Sequence, residues 1–260
     1  NSSIYMATKN KKIEKLKNEY RSTRNSIRKY DAGMRIYEEY HALMNDSAIS
    51  YLNKCIQIAE NLHRNDLKIK AYVMIAHQFA VSGFYTEAQF YYHQINKDEI
   101  KGSLLIDYYF GLSQLYGDMA FYASDEKMKQ IYFKESDGYR QQLYKMLDPH
   151  STLYLRQKSV QLCYEKRYKE SLSYNDLWMK KVKPGTHEYA IMAFFRSEIY
   201  KNTKDVNMQK YWLCESALSD IKCSVMDQSS LWGLADLVNR DGDVERSYRY
   251  IEYSWSCIST

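Results

Sequence analysis

The sequence predicts an all-α protein in which about six helical hairpins stack side by side into a superhelix. Three observations support this fold class. Apolar and small residues recur at helical spacing on both sides of short turns, the same spacing returns along the chain, and turn-forming residues are scarce. The 260 residues include only 2 prolines and 9 glycines, which are too few for the many turns of a strand-rich fold.

The clearest hairpin runs from Ala71 to Ile95. Two apolar stripes at helical spacing flank a turn at Gly83. The stripes consist of Tyr72, Ile75, Ala76 and Phe79 before the turn, and of Tyr85, Ala88, Tyr92 and Ile95 after it. Small alanines stand where two helices must approach closely, and bulky aromatic residues fill the space around them. This pattern is typical of tetratricopeptide (TPR) repeats, so we expect a TPR-like α–α superhelix whose role is binding.

Other segments fit the same pattern less regularly. Near the C-terminus, a Gly242-Asp243 turn separates two stripes with the spacing of the first hairpin. The predicted hairpins cover residues 31–62, 68–96, 103–147, 152–181, 187–222 and 228–259. Pro149 ends the third hairpin, because proline cannot continue the helical hydrogen-bond ladder. Lys166 and Lys204 occupy positions where turn glycines are expected, so we expect these two hairpins to be irregular.

The N-terminal segment differs from the rest, and we predict two regions: a basic amphipathic helix over residues 1–30 and a TPR-like repeat domain over residues 31–260. Between Lys9 and Lys29, nine basic and two acidic residues give a charge of +7. The whole chain carries +5, so the remainder carries −2, which is not the basic surface of a nucleic-acid-binding domain. The apolar residues at helical spacing are Ile13, Leu16, Tyr20, Ile27 and Tyr30.

Three interpretations of this helix stay open. It caps the first hairpin and keeps its lysines in water, it forms a short coiled coil, or it contacts a membrane surface or nucleic acid. The first is the commonest role of a charged helix face.

No catalytic, cofactor or metal site is predicted. The sequence has no glycine-rich phosphate loop, no HExxH and no GxSxG motif, and none of the six histidines follows another by three or four residues. The five cysteines lie far apart without a CxxC motif, so we interpret them as small buried apolar residues. They are Cys55, Cys163, Cys214, Cys223 and Cys257. A helical enzyme would require converging histidines or carboxylates with shifted pKa values.

A binding groove is the better-supported prediction. In TPR arrays the first helix of each hairpin lines the concave face. The residues whose helical positions face that side form a mixed aromatic and charged set, and we predict that they line the groove. They are His77, Gln114, Arg156, Phe195, Glu198, Trp232 and Asp236. Such a groove suits a peptide or a partner protein, although each residue could instead be solvated or packed against the next repeat. A homodimer is also open.

Several short stretches carry a family resemblance. They are Lys12–Lys17, Asp46-Ser47-Ala48, Ser216–Lys222, Ser230-Leu231, Leu234-Ala235 and Gly242–Ile251. In this order they resemble the sensor portion of the TPR-containing transmembrane transcriptional regulators of Bacteroides-type bacteria. The resemblance implies an exported, periplasmic helical-repeat module, followed in that family by a membrane helix, a coiled coil and a DNA-binding domain. It does not supply the ligand.

The ends of the chain fit this resemblance. The sequence opens with Asn-Ser-Ser instead of methionine and stops at Thr260 before any membrane helix. We therefore expect part of a longer protein, linked to the membrane only through a segment beyond Thr260 and not itself binding nucleic acid. The alternative is a cytoplasmic TPR scaffold or adaptor. A signal peptide before Asn1 and an apolar run of ~20 residues after Thr260 would favour the sensor.

Overall fold

The computed structural model describes residues 2–225 and 227–256, with the side chains of residues 4–225 and 227–255. Within these ranges it contains thirteen α-helices, one short 3-10 helix and no strand, so the predicted all-α class is confirmed. The helices are α1 (Ser2–Ser22), α2 (Ser26–Tyr40), α3 (Asn45–Asn61), α4 (Asn65–Val81), α5 (Tyr85–His93), α6 (Ser103–Tyr122), α7 (Glu126–Met146), α8 (Thr152–Tyr164), α9 (Tyr168–Met179), α10 (His187–Asn202), α11 (Val206–Cys223), α12 (Ser229–Arg240) and α13 (Val244–Ser256). The 3-10 helix is Lys97–Glu99.

Consecutive helices from α2 to α13 pack as six hairpins, the number that the sequence predicted. The pairs are α2 with α3, α4 with α5, α6 with α7, α8 with α9, α10 with α11 and α12 with α13. Residues 257–259 of the sixth predicted hairpin, and Cys257 with them, lie outside the described residues.

The helices pack as two compact units, each with its own apolar core. The N-terminal unit is Asn10–Leu147, and its fully buried side chains include Leu52, Ile75 and Leu115. The C-terminal unit comprises the described residues of Asp148–Thr260 together with those of Asn1–Lys9. Its buried core includes Trp178, Met192 and Leu213. The predicted division between residues 30 and 31 stays a prediction.

The single N-terminal helix expected over residues 1–30 is in fact two helices. The side chain of Asn25 accepts a hydrogen bond from the backbone N–H of Arg28 and thereby caps α2, so Ile27 and Tyr30 belong to α2. Ile13 and Leu16 of α1 are buried in the same apolar cluster as Tyr30.

The basic residues of α1 are mostly solvent-exposed, and ion pairs in both directions join α1 to the first hairpin. Lys12 Nζ lies 2.6 Å from Glu39 Oε1, and Arg35 Nη1 of α2 lies 2.9 Å from Glu19 Oε1 of α1. With Ile13 and Leu16 buried on the other side, this arrangement matches the capping interpretation.

Four of the hairpin turns share one backbone conformation. The turn residues Gly83, Lys166, Lys204 and Gly242 all have positive φ angles, of 81°, 61°, 63° and 86° respectively. In each turn the next N–H donates to the carbonyl oxygen five residues earlier, at 2.9 or 3.0 Å. The expectation that the two lysine turns would be irregular is therefore wrong, since the same hydrogen bonds hold lysine in the left-handed region.

Candidate functional site

The two candidate groove residues of the N-terminal unit are in direct contact. His77 on α4 donates from Nε2 to Oε1 of Gln114 on α6, across 3.0 Å. The His77 ring also stacks on Phe110, with ring centroids 5.8 Å apart. Both polar side chains are half-buried, so this hydrogen bond holds them in place between two neighbouring hairpins.

We call the first helix of each hairpin an inner helix. Three charged residues on the inner helices α2, α4 and α6 were not predicted from the sequence. Lys70 and Asp107 precede His77 and Gln114 by seven residues, which is two helical turns, so they share the same helix faces. Glu38 is on α2. The helical phase of the predicted residues could have identified Lys70 and Asp107. We call Glu38, Lys70, His77, Asp107 and Gln114 the N-terminal inner surface.

Desolvation affects two carboxyl groups of this surface. Glu38 and Asp107 are solvent-exposed, yet desolvation by the surrounding protein raises the pKa of both carboxyls. Lys70 opposes the shift of both pKa values, while Asp107 raises the pKa of Glu38 further. Both carboxylates are therefore reachable by solvent but partly desolvated by the surrounding protein.

The C-terminal unit brings two further candidates together. The guanidinium of Arg156 on α8 lies 5.8 Å from the ring centroid of Phe195 on α10, within cation–π range. Desolvation lowers the pKa of Arg156 to about 10, and Glu188 opposes this shift. Glu188 is exposed and precedes Phe195 by seven residues, so it shares that face of α10. Arg156, Glu188, Phe195 and Glu198 form what we call the C-terminal inner surface.

The remaining candidates interact mainly within their own helix or hairpin. Glu198 pairs with Lys201 at 3.2 Å, and Asp236 pairs with Arg240 at 2.7 Å. Trp232 is half exposed, and its Nε1 donates to Ser254 Oγ of α13 at 3.1 Å. Because local pairs of exposed charges are worth little, a ligand could exchange them at low cost. Their role in binding stays a prediction.

The described residues show no arrangement suited to metal binding or nucleophilic catalysis. Among them, no group of three or more His, Cys, Asp or Glu side chains could hold a metal ion. The four described cysteines are free thiols; Cys55 is buried and the other three are half-buried. Desolvation raises the pKa of each thiol, that of Cys55 to about 12, which is opposite to the shift of a reactive cysteine.

Within residues 2–225 and 227–256, no helix has both the length and the apolar character needed to cross a membrane.

Comparison with known proteins identifies a family. No curated protein matches the chain. A family model described as the SusR N-terminal TPR domain matches residues 1–260, the full length of the chain. With the helical hairpins, this match establishes a TPR-like superhelix from a TPR-containing regulator family. TPR domains generally mediate protein–protein interactions and are typically non-catalytic. The chain therefore belongs to the SusR N-terminal TPR domain family.

Proposed function

We propose that this chain is the periplasmic sensor module of a membrane-bound transcriptional regulator, and that it binds a peptide or partner protein on its inner helices. The family match supports a regulator, and the resemblance of the C-terminal motifs supports the periplasmic placement. The observation that carries the binding proposal is the pair of exposed but poorly solvated carboxylates, Glu38 and Asp107.

The N-terminal inner surface offers charge that water screens poorly. An ion pair formed in such a setting is stronger than one on an open surface, because the effective dielectric constant is lower. Glu38 and Asp107 would receive a basic group of the ligand, and Lys70 an acidic group or a carbonyl oxygen. The hydrogen bond between His77 and Gln114 holds both side chains in position for a further polar contact with the ligand.

The C-terminal inner surface offers complementary chemistry. Phe195 supports the guanidinium of Arg156, and a planar guanidinium has five N–H donors. It can therefore serve a ligand carbonyl or carboxylate in addition to its intramolecular partners. An extended chain with alternating charged and apolar side chains is the ligand class that such a surface fits.

The binding proposal is tested by affinity capture from periplasmic extract with the purified chain as bait. We expect a partner that is retained by the wild type and lost with the double variants Glu38→Gln/Asp107→Asn and Phe195→Ala/Trp232→Ala. A matched control, Glu126→Gln/Asp137→Asn, removes two carboxylates from α7 and should keep the partner. Equal capture by all four proteins would show that the inner helices do not bind it.

The placement of the chain has its own test. Fractionation of the native cells, followed by detection of the protein with an antibody, should find it exposed to the periplasm and associated with the membrane. Recovery of the protein in the cytoplasm without a membrane anchor would instead support a TPR scaffold.

A further inference from the structure

An open cavity of about 420 Å³ lies in the N-terminal unit where α4 and α6 end. Its lining residues are Ala80, Val81, Ser82, Gly83, Tyr85, Asp118 and Tyr122. Asp118 follows Gln114 by one helical turn, so the cavity adjoins the inner surface. Its ligand chemistry follows from its own residues and does not depend on the proposed function.

The charge of the cavity is negative from two sources. Helix α4 ends at Val81 and α6 ends at Tyr122, and the C-terminal end of a helix carries partial negative charge. In the turn after α4, Gly83 and Phe84 donate to the carbonyl oxygens of Ala80 and Phe79, so the oxygens that remain for a ligand are those of Val81 and of the last turn of α6. Asp118 adds a carboxylate within the last turns of α6. No basic residue is among the lining residues.

The Asp118 carboxylate lacks a partner among the described residues. No hydrogen bond or ion pair of this side chain is found there. Desolvation is the cause that raises the pKa of Asp118 to about 6, and no nearby cation opposes it. At neutral pH the group is therefore mostly ionised, partly desolvated and without a counter-charge.

Two tyrosines complete the cavity. Tyr85 belongs to α5 and is half-buried, whereas Tyr122 is 71% exposed. The face of an aromatic ring attracts a cation within about 6 Å of its centroid. A carboxylate, helix-terminal carbonyl groups and aromatic rings together favour a cation with N–H donors.

We propose that this cavity binds a primary ammonium group carried on an alkyl chain. The three N–H donors of an ammonium match the Asp118 carboxylate and the terminal carbonyl oxygens, and the alkyl chain contacts Val81 and the tyrosine rings. The volume is within the range of small-ligand sites. A free diamine and a lysine side chain of a partner are the two sources of this chemistry.

The test follows the backbone amide resonances of Gly83 and Tyr85 in the whole chain during NMR titrations at constant ionic strength. The probes are 1,5-diaminopentane, a Gly-Gly-Lys-Gly-Gly peptide, the same peptide with norleucine in place of lysine, and tetramethylammonium. The Asp118→Asn variant removes the carboxylate. The matched control, Asp31→Asn, removes one exposed carboxylate of α2 and leaves the cavity unchanged.

We expect saturable shifts with the diamine, the lysine peptide or both, weakened about tenfold in Asp118→Asn and unchanged in Asp31→Asn. A response to the diamine alone identifies a free amine as the source, and a response to the peptide alone identifies a partner's lysine. The Tyr122→Leu variant should weaken binding severalfold. Because it changes an exposed side chain, it tests the cavity even if the Asp118→Asn variant does not fold.

Three results would overturn the proposal. The first is the absence of saturable shifts with either amine. The second is that a folded Asp118→Asn variant binds the amines as tightly as the wild type does. The third is that the norleucine peptide binds as tightly as the lysine peptide. Tetramethylammonium lacks N–H donors and should bind more weakly than the primary amines. Equal binding would refute the role of the carbonyl and carboxylate acceptors.

Discussion

The hydroxyl group of Tyr92 on α5 fills the space where residue 111 of α6 would carry a β-carbon. Residue 111 is glycine, and a methyl group there would overlap the tyrosine oxygen. The tyrosine is 3% exposed, and its hydroxyl has no hydrogen-bond partner among the described residues. The close approach of the second and third hairpins therefore depends on a glycine on α6, which makes room for a buried tyrosine of α5.

This contact predicts a rescue experiment. Gly111→Ala should lower the free energy of unfolding by about 2 kcal/mol, because overpacking outweighs the higher helix propensity of alanine. Tyr92→Phe should be neutral or stabilising, because it removes a buried hydroxyl without a partner. The double variant should recover part of the stability lost in Gly111→Ala, because the ring carbon Cζ would still lie 3.1 Å from the new β-carbon. Urea unfolding measures all three variants, and the absence of any rescue would contradict the packing described for this pair.

The lysine turns give a second prediction. Lys166 and Lys204 hold the left-handed conformation that glycine adopts more easily at Gly83 and Gly242. Lys166→Gly and Lys204→Gly should each raise the free energy of unfolding by about 0.5–1 kcal/mol, because relief of strain exceeds the added entropy of the unfolded chain. Thermal unfolding measures the effect. Lys134→Gly is the control, because Lys134 is exposed in the middle of α7, where glycine should destabilise by about 1 kcal/mol.

The sequence predicted the hairpins well because their signals are local. The apolar stripes on the two sides of Gly83 lie within about 25 consecutive residues, as do those on the two sides of Gly242, and neither set needs a distant partner. The helix break at Asn25 was missed because the apolar spacing continues from Ile13 to Tyr30 across it. The regularity of the Lys166 turn was missed because residue type changes how easily the backbone adopts the left-handed conformation but does not determine whether it does so.

The site was less accessible from sequence than the fold. The helical phase suggested His77 and Gln114, and the structure joins them. The same phase could have included Asp107 but gave no reason to choose Glu38, and the desolvation that raises the pKa of both carboxyls arises from surrounding residues that the sequence does not bring together. The same holds for Asp118, whose environment combines the ends of two helices that are far apart in sequence.

A buried arginine gives a third prediction. Arg196 donates from Nη1 to Asn175 Oδ1 at 2.9 Å and to Asp176 Oδ1 at 2.6 Å, and its guanidinium lies 4.8 Å from the Trp212 ring. Arg196→Met should lower the free energy of unfolding by about 2 kcal/mol, because the fully buried Asn175 loses a partner. Arg196→Lys should restore little, since an ammonium cannot reproduce the planar fork.

The neighbouring carboxylate supplies the control for this arginine. The Asp176 side chain is 50% exposed, so Asp176→Asn should cost under about 1 kcal/mol. Urea unfolding of the three variants gives the order. A larger loss for Asp176→Asn than for Arg196→Met would show that the exposed ion pair, and not the buried amide, dominates this network.

The last prediction concerns the pH dependence of stability. Desolvation raises the pKa of Asp118 from 3.8 to about 6 in the folded chain. Between these values the folded state binds more protons than the unfolded state, so this group makes the protein more stable as the pH falls from about 6 towards 4. Asp118→Asn removes the ionised form. Because the side chain is partly exposed, we expect a gain of only about 1 kcal/mol at pH values above about 7.

This gain should shrink as the pH falls, because the wild-type carboxyl becomes protonated in the folded state and then resembles the amide. Urea unfolding of both proteins at about pH 8 and about pH 4 measures the difference between them at each pH. The exposed Asp31→Asn variant, whose carboxylate lies on α2, should show no comparable gain at the higher pH. A stability difference between wild type and Asp118→Asn that is the same at both pH values would contradict the partly desolvated carboxylate on which the cation-binding cavity depends.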